Sequence, residues 1–454
     1  MNPSEFKRIL ELGLGRAIVF LQTHDSSPYH DAILAACLHD TRYDGQVESR
    51  RSQYLFDVIQ LTNNLAFFRD PILAALENTT DPESYTTSQL SGLAAHFAQN
   101  GDQRARQIIY DQFVTHLGSE EFNEIRRAYD VFLVDDLNGL LFVAERYGEK
   151  LLSDNDWQPI PWFDDPEDQA DDDERAQWAA VTQAAATNPR IAAFVGYERE
   201  YHIRGQSRRR SNKAKQIPYD QFKKVLIDSK TQTRSGFTIR RWALVASDDD
   251  ITRAATDLVS LDPQTDQDVL IRYLWLFDKR PFPLDPQKLI DLVRSAPGAL
   301  EHDENDWLLP KYQVVLRAIY ALKNISHPAV RDLALQLIDE GHWLRWAVDL
   351  LALNWQTDDW TFIANLAARE MDRDTYHGFG LGVMHILDAR LLPDAASALL
   401  TLYERDPCSE CRDHIVHSLQ KIDHVPDWMI EECKYDANLY LREWASEKFP
   451  FSIS

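Results

Sequence analysis

Residues 315–338, VLRAIYALKNISHPAVRDLALQLI, decide the fold that we predict for this chain. Apolar residues recur here at positions i, i+3, i+4 and i+7, first in VLRAIYAL and again in VRDLALQLI. This spacing places the apolar side chains on one face of an α-helix. Pro328 follows His327, and proline is tolerated in the first turn of a helix, where its missing N–H is not needed. The stretch therefore predicts two consecutive helices joined by a short turn.

The same helical spacing dominates the rest of the chain. Only 16 glycines occur in 454 residues, too few for a turn-rich all-β protein, so the expected fold class is all-α. Residues 130–145, DVFLVDDLNGLLFVAE, have a second interpretation, a β-hairpin whose turn is Asn138-Gly139. The apolar runs on either side do not alternate with polar residues, and helical spacing continues beyond them. The helical interpretation is therefore favoured.

A break in the helical pattern divides the chain. A segment rich in proline and acidic residues, WFDDPEDQADDDE, is followed after two predicted helices by a polar segment, RGQSRRRSNKAKQIP. Such runs are normally solvated rather than packed in a core. We predict an N-terminal helical domain over residues 1–152, a charged and partly flexible junction with short helices over 153–235, and helical repeats over 236–454.

Three segments of the C-terminal half share a pattern in which an apolar or cysteine residue precedes an arginine: HPAVRDLA, DPCSECRDHI and DANLYLREWA. The first two arginines, Arg331 and Arg412, lie 81 residues apart, close to twice a period of about 40. This pattern resembles the HEAT repeat family. The resemblance implies a C-terminal α-solenoid of stacked helical hairpins that share one core. It also implies that each arginine reaches an acid of the neighbouring repeat, and that the chain binds protein or, less often, nucleic acid.

The charge of the chain is unevenly distributed. The net charge of −24 opposes non-specific attraction to nucleic acid or anionic membranes, yet residues 198–241 contain 13 Lys/Arg against 4 Asp/Glu. Clustered arginines can form bidentate contacts to phosphate or carboxylate groups. The alternative is a solvated loop that offsets the acidic run upstream. The candidate binding residues of this basic segment are Arg204, Arg208, Arg209, Arg210, Lys213 and Lys215.

Four tryptophans cluster in the predicted repeats: Trp343, Trp346, Trp355 and Trp360. Tryptophan is enriched at binding hot spots, so we keep these residues as candidate binding residues. Large aromatic side chains also fill the cores between repeats, and for these four a core position is the favoured alternative.

No motif in the sequence predicts catalysis, a cofactor or a metal. Cys408, Cys411, His414 and His417 have a spacing that looks like a zinc site, but residues three apart rotate progressively around a helix and do not face one ion. The glycines of HGFGLG (residues 377–382) and of LGLGR near the N-terminus do not follow a strand. They therefore indicate tight helix packing rather than a phosphate loop. We expect no enzymatic activity.

The expected function is that of a non-enzymatic interaction or scaffold protein, which binds a protein or peptide partner through a helical-repeat surface. The alternative is a nucleic-acid-binding HEAT-like protein that uses residues 199–241. HEAT-like folds that resemble alkylpurine DNA glycosylases exist, and they use basic concave surfaces with aromatic residues and a carboxylate. No apolar stretch approaches the roughly 18 residues of a membrane span, and the four cysteines are too sparse for a disulfide framework. We therefore expect a cytoplasmic protein without a membrane partner.

Overall fold

A computed structural model of the chain describes residues 1–81, 84–118, 121–154, 156–163, 172–209, 217–228, 232–295 and 309–448. These residues form 24 α-helices and no β-strand, which confirms the all-α prediction. The first twelve helices are α1 (Pro3–Leu12), α2 (Arg16–Leu21), α3 (His30–Leu38), α4 (Ser52–Leu61), α5 (Leu65–Glu77), α6 (Tyr85–Gln99), α7 (Gln103–Thr115), α8 (Glu121–Ser153), α9 (Asp172–Ala185), α10 (Pro189–Arg209), α11 (Tyr219–Asp228) and α12 (Gln232–Val245). The others are α13 (Asp248–Ser260), α14 (Gln267–Leu274), α15 (Gln287–Arg294), α16 (Pro310–Leu322), α17 (Pro328–Asp339), α18 (Leu344–Asp349), α19 (Asp359–Ala367), α20 (Arg373–Arg390), α21 (Ala396–Arg405), α22 (Ser409–Lys421), α23 (Asp427–Cys433) and α24 (Leu439–Lys448).

The contacts between residues divide the chain into two compact units. Unit 1 comprises Met1–Asn212, Cys408–Asp413 and Pro426–Ser454, and unit 2 comprises Lys213–Pro407 and His414–Val425. The change from unit 1 to unit 2 after residue 212 lies inside the junction predicted over 153–235. The C-terminal segments group with unit 1, whereas the sequence assigned them to the repeats over 236–454.

Helix α6 lies at the centre of unit 1. Every residue from Thr87 to Ala98 is buried, and the helix contacts α3, α4, α5, α7 and α8. A helix covered on all sides does not need a solvent-facing side, and every side chain of TSQLSGLAAHFA is buried. Its polar residues bind neighbouring helices: the Ser91 hydroxyl donates to Asp130 of α8, and the Gln89 side-chain amide donates to the carbonyls of Ala36 and Cys37 near the end of α3.

Helix α8 bends at Asp135 and Asp136, whose backbone angles leave the helical region (φ −130°, ψ 20° and φ 47°, ψ −127°). The Asp135 carboxylate accepts hydrogen bonds from Arg106 (2.6 Å) and from the hydroxyl of Tyr110, both on α7. Asn138-Gly139 lies in the helix that follows the bend. The helical prediction for residues 130–145 is therefore confirmed, and the hairpin alternative is wrong.

Residues from the two ends of the chain meet inside unit 1. Gly13 has a φ of 73°, a conformation that glycine adopts without strain, and its carbonyl accepts a hydrogen bond from the Ala437 N–H (2.9 Å). A Cβ atom on Gly15 would lie 1.9 Å from the carbonyl oxygen of Glu432. The two glycines of LGLGR therefore allow a close approach of backbones, which agrees with the packing role predicted for them.

Each of these two ends contributes a buried ion pair near their contact. Arg412 donates hydrogen bonds to both carboxylate oxygens of Asp436 (3.1 and 3.2 Å), and both side chains are fully buried. Glu48 pairs with Arg51 (3.2 Å) and accepts a hydrogen bond from the Ser409 N–H (3.0 Å). Charges buried at this depth are tolerated only when they are paired and hydrogen-bonded. The hydrogen bond from Ser409 to the paired Glu48 then joins the C-terminal residues to the first helices of unit 1.

Unit 2 is built from helices that contact their neighbours in chain order. Helices α12, α14, α16, α18 and α20 contact one another in succession. The side-chain amides of Asn324 and Asn354 each donate to a carbonyl of a preceding turn, at Phe277 (2.8 Å) and Ile325 (3.0 Å). Arg331 pairs with Asp359 at the start of α19 (2.7 and 2.8 Å), the contact to a neighbouring acid that the arginine pattern predicted.

The glycines of HGFGLG lie within α20. A Cβ atom on Gly382 would be 2.3 Å from the carbonyl oxygen of Arg345, and one on Gly380 would be 2.3 Å from a carboxylate oxygen of Asp406. A Cβ atom so close to a backbone oxygen is not tolerated, so Gly382 lets α20 pack directly against α18. Gly380 makes room for the Asp406 side chain after α21, and both positions agree with the packing role predicted for these glycines.

Candidate functional site

The predicted basic segment falls mostly outside the described side chains. The last turns of α10 contain its first three arginines. Their side chains, and the other three residues entirely, lie outside the described part of the chain: Arg204, Arg208, Arg209, Arg210, Lys213 and Lys215. The binding role of this segment therefore stays a prediction.

The four predicted tryptophans form two pairs. The ring centroids of Trp343 and Trp346 are 5.4 Å apart, and those of Trp355 and Trp360 are 5.0 Å apart. Trp360 is 1% exposed and donates a hydrogen bond to a backbone carbonyl of α20, so it is a core residue. Trp346 is half-buried and donates to the hydroxyl of Tyr320 (3.3 Å). This contact connects Trp346 to residues of earlier helices.

A continuous set of aromatic and charged side chains crosses unit 2 from α12 to α20. It begins on α12, passes through the turn after α14 and through α16 and α18, and ends on α20. Each member contacts at least one other member through an ion pair, a hydrogen bond or a cation–ring contact. We call this set the aromatic–cation stripe; its members are Arg240, Trp275, Asp278, Arg317, Tyr320, Lys323, Arg345, Trp346, Asp349 and His385.

Asp278 lies between two arginines at the first end of the stripe. Its Oδ2 atom accepts a hydrogen bond from Arg240 Nε (2.7 Å) and lies 3.6 Å from Arg317 Nη1. The guanidinium carbons of both arginines lie over the Trp275 ring, 5.8 and 5.9 Å from its centroid. Cations are attracted to the electron-rich faces of indole rings. One carboxylate and one ring therefore hold both arginines in place.

The electrostatics of this end are unfavourable to folding. Burial raises the pKa of Asp278 above its ordinary value, although Arg317 and Arg240 oppose the shift. Burial also lowers the pKa of Arg317, against the attraction of Asp278 and with a contribution from the like charge of Arg240. Three buried atoms, Trp275 Nε1, Asp278 Oδ1 and Arg317 Nε, have no hydrogen-bond partner among the described residues. Most buried polar atoms are paired and perturbed pKa values cluster at functional sites, so these residues are candidates for a function.

Tyr320 connects the first end of the stripe to the second. The Arg317 guanidinium carbon and the Lys323 Nζ atom lie 5.3 and 5.2 Å from its ring centroid. Its hydroxyl accepts the hydrogen bond from Trp346, and the guanidinium carbon of Arg345 lies 5.6 Å from the Trp346 ring. Arg345 has no ion pair or hydrogen bond from its side chain to another described residue. Its guanidinium donors are thus held over the ring without a carboxylate partner among those residues.

Asp349 lies at the second end of the stripe. Its Oδ2 atom is 3.6 Å from Lys323 Nζ and 3.2 Å from Nδ1 of His385. Counting only lysine, arginine and aspartate, the stripe contains four cations and two carboxylates, an excess of two positive charges. Unit 2 as a whole carries 24 Lys/Arg against 30 Asp/Glu. The stripe is therefore a locally positive feature in an acidic unit.

The cysteines of the zinc-like pattern are buried. Cys411 lies on α22 and is 5% exposed, Cys408 just before the helix is 4% exposed, and Cys433 is fully buried. His414, three residues after Cys411, is exposed. Buried free cysteine behaves as a small apolar residue. Cys411 is buried and His414 is exposed, so these two residues lie in different environments.

Unit 1 contains two depressions. One is enclosed by Ser88, Gln112 and Asp130, among others, and has room for about one water molecule (about 10 Å³). The other is open, about 610 Å³, and is lined by residues 40–46 and the first turn of α6. The charges of its loop already pair within it, since Arg42 lies 2.8 Å from Asp40. We assign no site to either depression.

Comparisons with known proteins return no relative: no family model, no curated protein and no solved structure matches the chain. A membrane span is likewise not found, because no helix of the described residues is both long and apolar enough to cross a bilayer. The interpretation of the stripe therefore rests on its own chemistry.

Of the stripe, sequence reasoning named Trp346 and included Arg240 in the basic segment 199–241, and it missed the other members. Three of these lie with Arg240 at the first end of the stripe: Trp275, Asp278 and Arg317. A usable signal was present for one of them, since Arg317 interrupts the apolar run VVLRAIYAL in the stretch that decides the fold. A charge inside such a run either pairs in the core or faces a binding surface. For the other two, WLFD offers no signal, because their partners lie on helices distant in the sequence.

Proposed function

We propose that this chain is a non-enzymatic interaction protein that binds a protein or peptide partner along the aromatic–cation stripe of unit 2. The observation that carries the proposal is the stripe itself, in which four cations contact three aromatic rings with two positive charges in excess. Tryptophan, tyrosine and arginine are the residues most enriched at the energetic centres of protein interfaces.

The proposal includes a HEAT-like solenoid arrangement for unit 2. The contacts of α14, α16, α18 and α20 in chain order support it, because stacked helical hairpins contact only their neighbours. The repeated amide contacts of Asn324 and Asn354 support it as well. In such an arrangement the stripe lies along one face and receives one to three side chains from each successive helical pair.

Nucleic-acid binding is the second candidate function. Trp275 and Asp278 favour it, because they contact the same two arginines and HEAT-like folds that resemble alkylpurine DNA glycosylases use aromatic residues with a carboxylate. Two observations count against it. The rings of Trp275, Tyr320 and Trp346 already face guanidinium or ammonium groups, which leaves less ring surface for stacked bases. Asp278 and Asp349 also repel phosphates.

Partner capture from native cells tests the leading proposal. We expect Arg345→Glu to lose most of a specific partner, because it places a negative charge opposite an acidic ligand. The fold should tolerate the change, since Arg345 has no ion pair with the described residues. Arg369→Glu is the matched control, an exposed arginine of the same unit, and should retain the partner. Equal capture by wild type and Arg345→Glu would place the binding surface elsewhere.

A gel-shift series with DNA and RNA at several salt concentrations tests the second candidate. Binding to phosphates weakens steeply as salt rises, because counterions are released on binding. A shift at low salt that Arg345→Glu abolishes would favour nucleic acid as the ligand of the stripe. The absence of any shift at low salt would exclude this candidate.

A further inference from the structure

Each end of the stripe has one positive charge more than its acids neutralise. At the first end, Arg240 and Arg317 share the single carboxylate of Asp278. At the second end, Asp349 faces Lys323, and Arg345 contacts the Trp346 ring and no carboxylate among the described residues. A ligand that neutralises the stripe therefore needs two negative charges, one for each end.

The cations of the stripe are more accessible to solvent than its acids. The Arg240 side chain is 37% exposed, whereas that of Asp278 is 8% exposed. At the second end Lys323 is 25% exposed and Asp349 9% exposed. An approaching ligand therefore contacts the cations first. The less exposed carboxylates of the stripe hold those cations in position.

The two ends are separated by one helix-to-helix step. Arg317 is on α16 and Arg345 is on α18, and these two helices contact each other. Packed helices lie about 8–10 Å apart. A polyproline II segment has three residues per turn and rises about 3.1 Å per residue, so residues three apart point the same way about 9 Å apart. A β-strand would turn every third side chain to the opposite face.

We infer that the stripe binds a segment of a protein partner in polyproline II conformation, with two acidic residues three positions apart. One acid pairs with the Arg240–Arg317 end and the other with Arg345. The two residues between them lie along Tyr320 and Trp346, and proline suits these positions because aromatic-lined surfaces dock such preformed segments. The inference rests on the proposed function, since it names the chemistry of the partner at the same site.

Synthetic peptides test this pairing. The probe is an acetylated and amidated octapeptide, Ala-Pro-Glu-Pro-Pro-Glu-Pro-Ala, titrated against the full chain by calorimetry or tryptophan fluorescence. Matched peptides replace one or both glutamates by glutamine, or place the glutamates two positions apart. We expect each lost or displaced glutamate to weaken binding about tenfold, because a hydrogen-bonded charge pair contributes that much to affinity.

Two variants assign each glutamate to its end of the stripe. Arg345→Gln should bind the two-glutamate peptide about tenfold more weakly and should no longer distinguish it from the peptide that lacks the glutamate facing Arg345. Arg240→Gln should have the same effect at the other glutamate, and it keeps the test valid if the first variant does not fold. Arg369→Gln should bind like wild type. A thermal melt of each variant checks that it is folded.

Three results would overturn the inference. The first is equal affinity for the glutamate and glutamine peptides. The second is absence of peptide binding at millimolar concentration; in that case the proposed function still stands if Arg345→Glu loses a captured partner, so the two failures are distinguishable. The third is binding of an eight-residue oligothymidylate, weakened by Arg345→Gln, when the glutamate peptide does not bind. That result would identify the ligand as a nucleic acid.

Discussion

Arg412 and Asp436 have no solvent-exposed side-chain surface, and each is the main ion-pair partner of the other inside unit 1. Removing one member of a buried pair leaves the other charge uncompensated, which costs far more than the pair itself contributes. Replacing both members by apolar residues avoids this penalty. Stability should therefore be sensitive to the loss of one member of the pair and much less sensitive to the replacement of both.

Asp436→Asn should lower the free energy of unfolding by about 3–5 kcal/mol, because Arg412 stays charged in the core. Urea denaturation measures the change. The double variant Arg412→Met with Asp436→Leu should recover most of the loss. Asp172→Asn is the control: it breaks the exposed pair with Arg175 and should change stability by less than about 1 kcal/mol. A loss for Asp436→Asn no larger than that of the control would contradict this account.

Glu198 on α10 should make unit 1 less stable as pH rises. Burial raises its pKa from 4.5 to about 7, although hydrogen bonds from the N–H groups of Trp162 and Phe163 oppose the shift. Between these pH values the folded state holds a proton that the unfolded state has released. The contribution of Glu198 to the free energy of unfolding is therefore fully present below about pH 4.5. It decreases by about 3 kcal/mol as the pH rises to 7.

The variant Glu198→Gln tests this pH dependence. It should flatten the decline and be more stable than wild type at pH 8, with little difference at pH 4.5. Equilibrium unfolding at both pH values measures the effect. If wild type and variant lose stability in parallel, another group causes the decline.

At the residue scale, the sequence predicted contacts between an arginine and an acid of a nearby helix. It did not predict the contacts that run across several helices. The arginine pattern predicted contacts to neighbouring acids, and Arg331 and Arg412 make such contacts with Asp359 and Asp436. The third arginine, Arg442, pairs instead with Asp57 of α4. The contacts of Trp275 with Arg240 and Arg317 join residues about 35 and 42 positions away. Such contacts depend on how helices stack, and local periodicity contains no information about that.

Helix α20 illustrates the element scale, since its packing on α18 depends on an absent side chain at Gly382. We expect Gly382→Ala to destabilise the protein by about 1–3 kcal/mol, because the added Cβ atom would lie 2.3 Å from the Arg345 carbonyl oxygen. Gly196→Ala on α10 has open space around its Cβ position and should stabilise by up to about 1 kcal/mol through helix propensity. Urea denaturation of both variants should show opposite signs. The same sign for both would mean that packing at Gly382 relaxes.

The helices themselves were predictable from the sequence, and the bend in α8 was not. The apolar spacing and the proline at residue 328 predicted α16 and α17 in the right place. At Asp135 the helix bends where Arg106 and Tyr110 of another helix hold the carboxylate. The local sequence does contain a glycine just after the bend, since a Cβ atom on Gly139 would lie 2.3 Å from the carbonyl oxygen of Val131 before the bend. Helical spacing alone does not show that this glycine belongs to a bend.

At the scale of the whole molecule, unit 1 contains residues from both ends of the chain. Composition showed the acidic and basic runs, and it therefore suggested a boundary near them. It could not show that the last helices pack with the first, because the residues that join them are ordinary ones such as Gly13, Arg16 and Glu432. Their pairing, with Arg16 Nε 2.5 Å from a Glu432 oxygen, exists only in the folded chain.

Removal of residues 426–454 should therefore loosen the N-terminal helices. The truncated chain loses Asp436 beside Arg412, the Arg442–Asp57 pair (2.7 Å) and the Ala437–Gly13 hydrogen bond. We expect faster amide hydrogen exchange in α1–α4, since lost packing lowers the free energy of local opening. Exchange measured by mass spectrometry tests this. A chain that ends at residue 448 keeps these contacts and should exchange like the full chain.

The composition of unit 1 also has a consequence for synthesis of the protein. Its first 212 residues leave the ribosome well before the segment that starts at Cys408, with roughly 200 residues translated in between. At about 5–20 residues per second this interval lasts about 10–40 s. During that time Arg51 and the apolar faces of the first helices lack the C-terminal residues that pack on them in the folded unit. Nascent chains of this protein should therefore depend on chaperones for longer than nascent chains whose domains are contiguous in sequence.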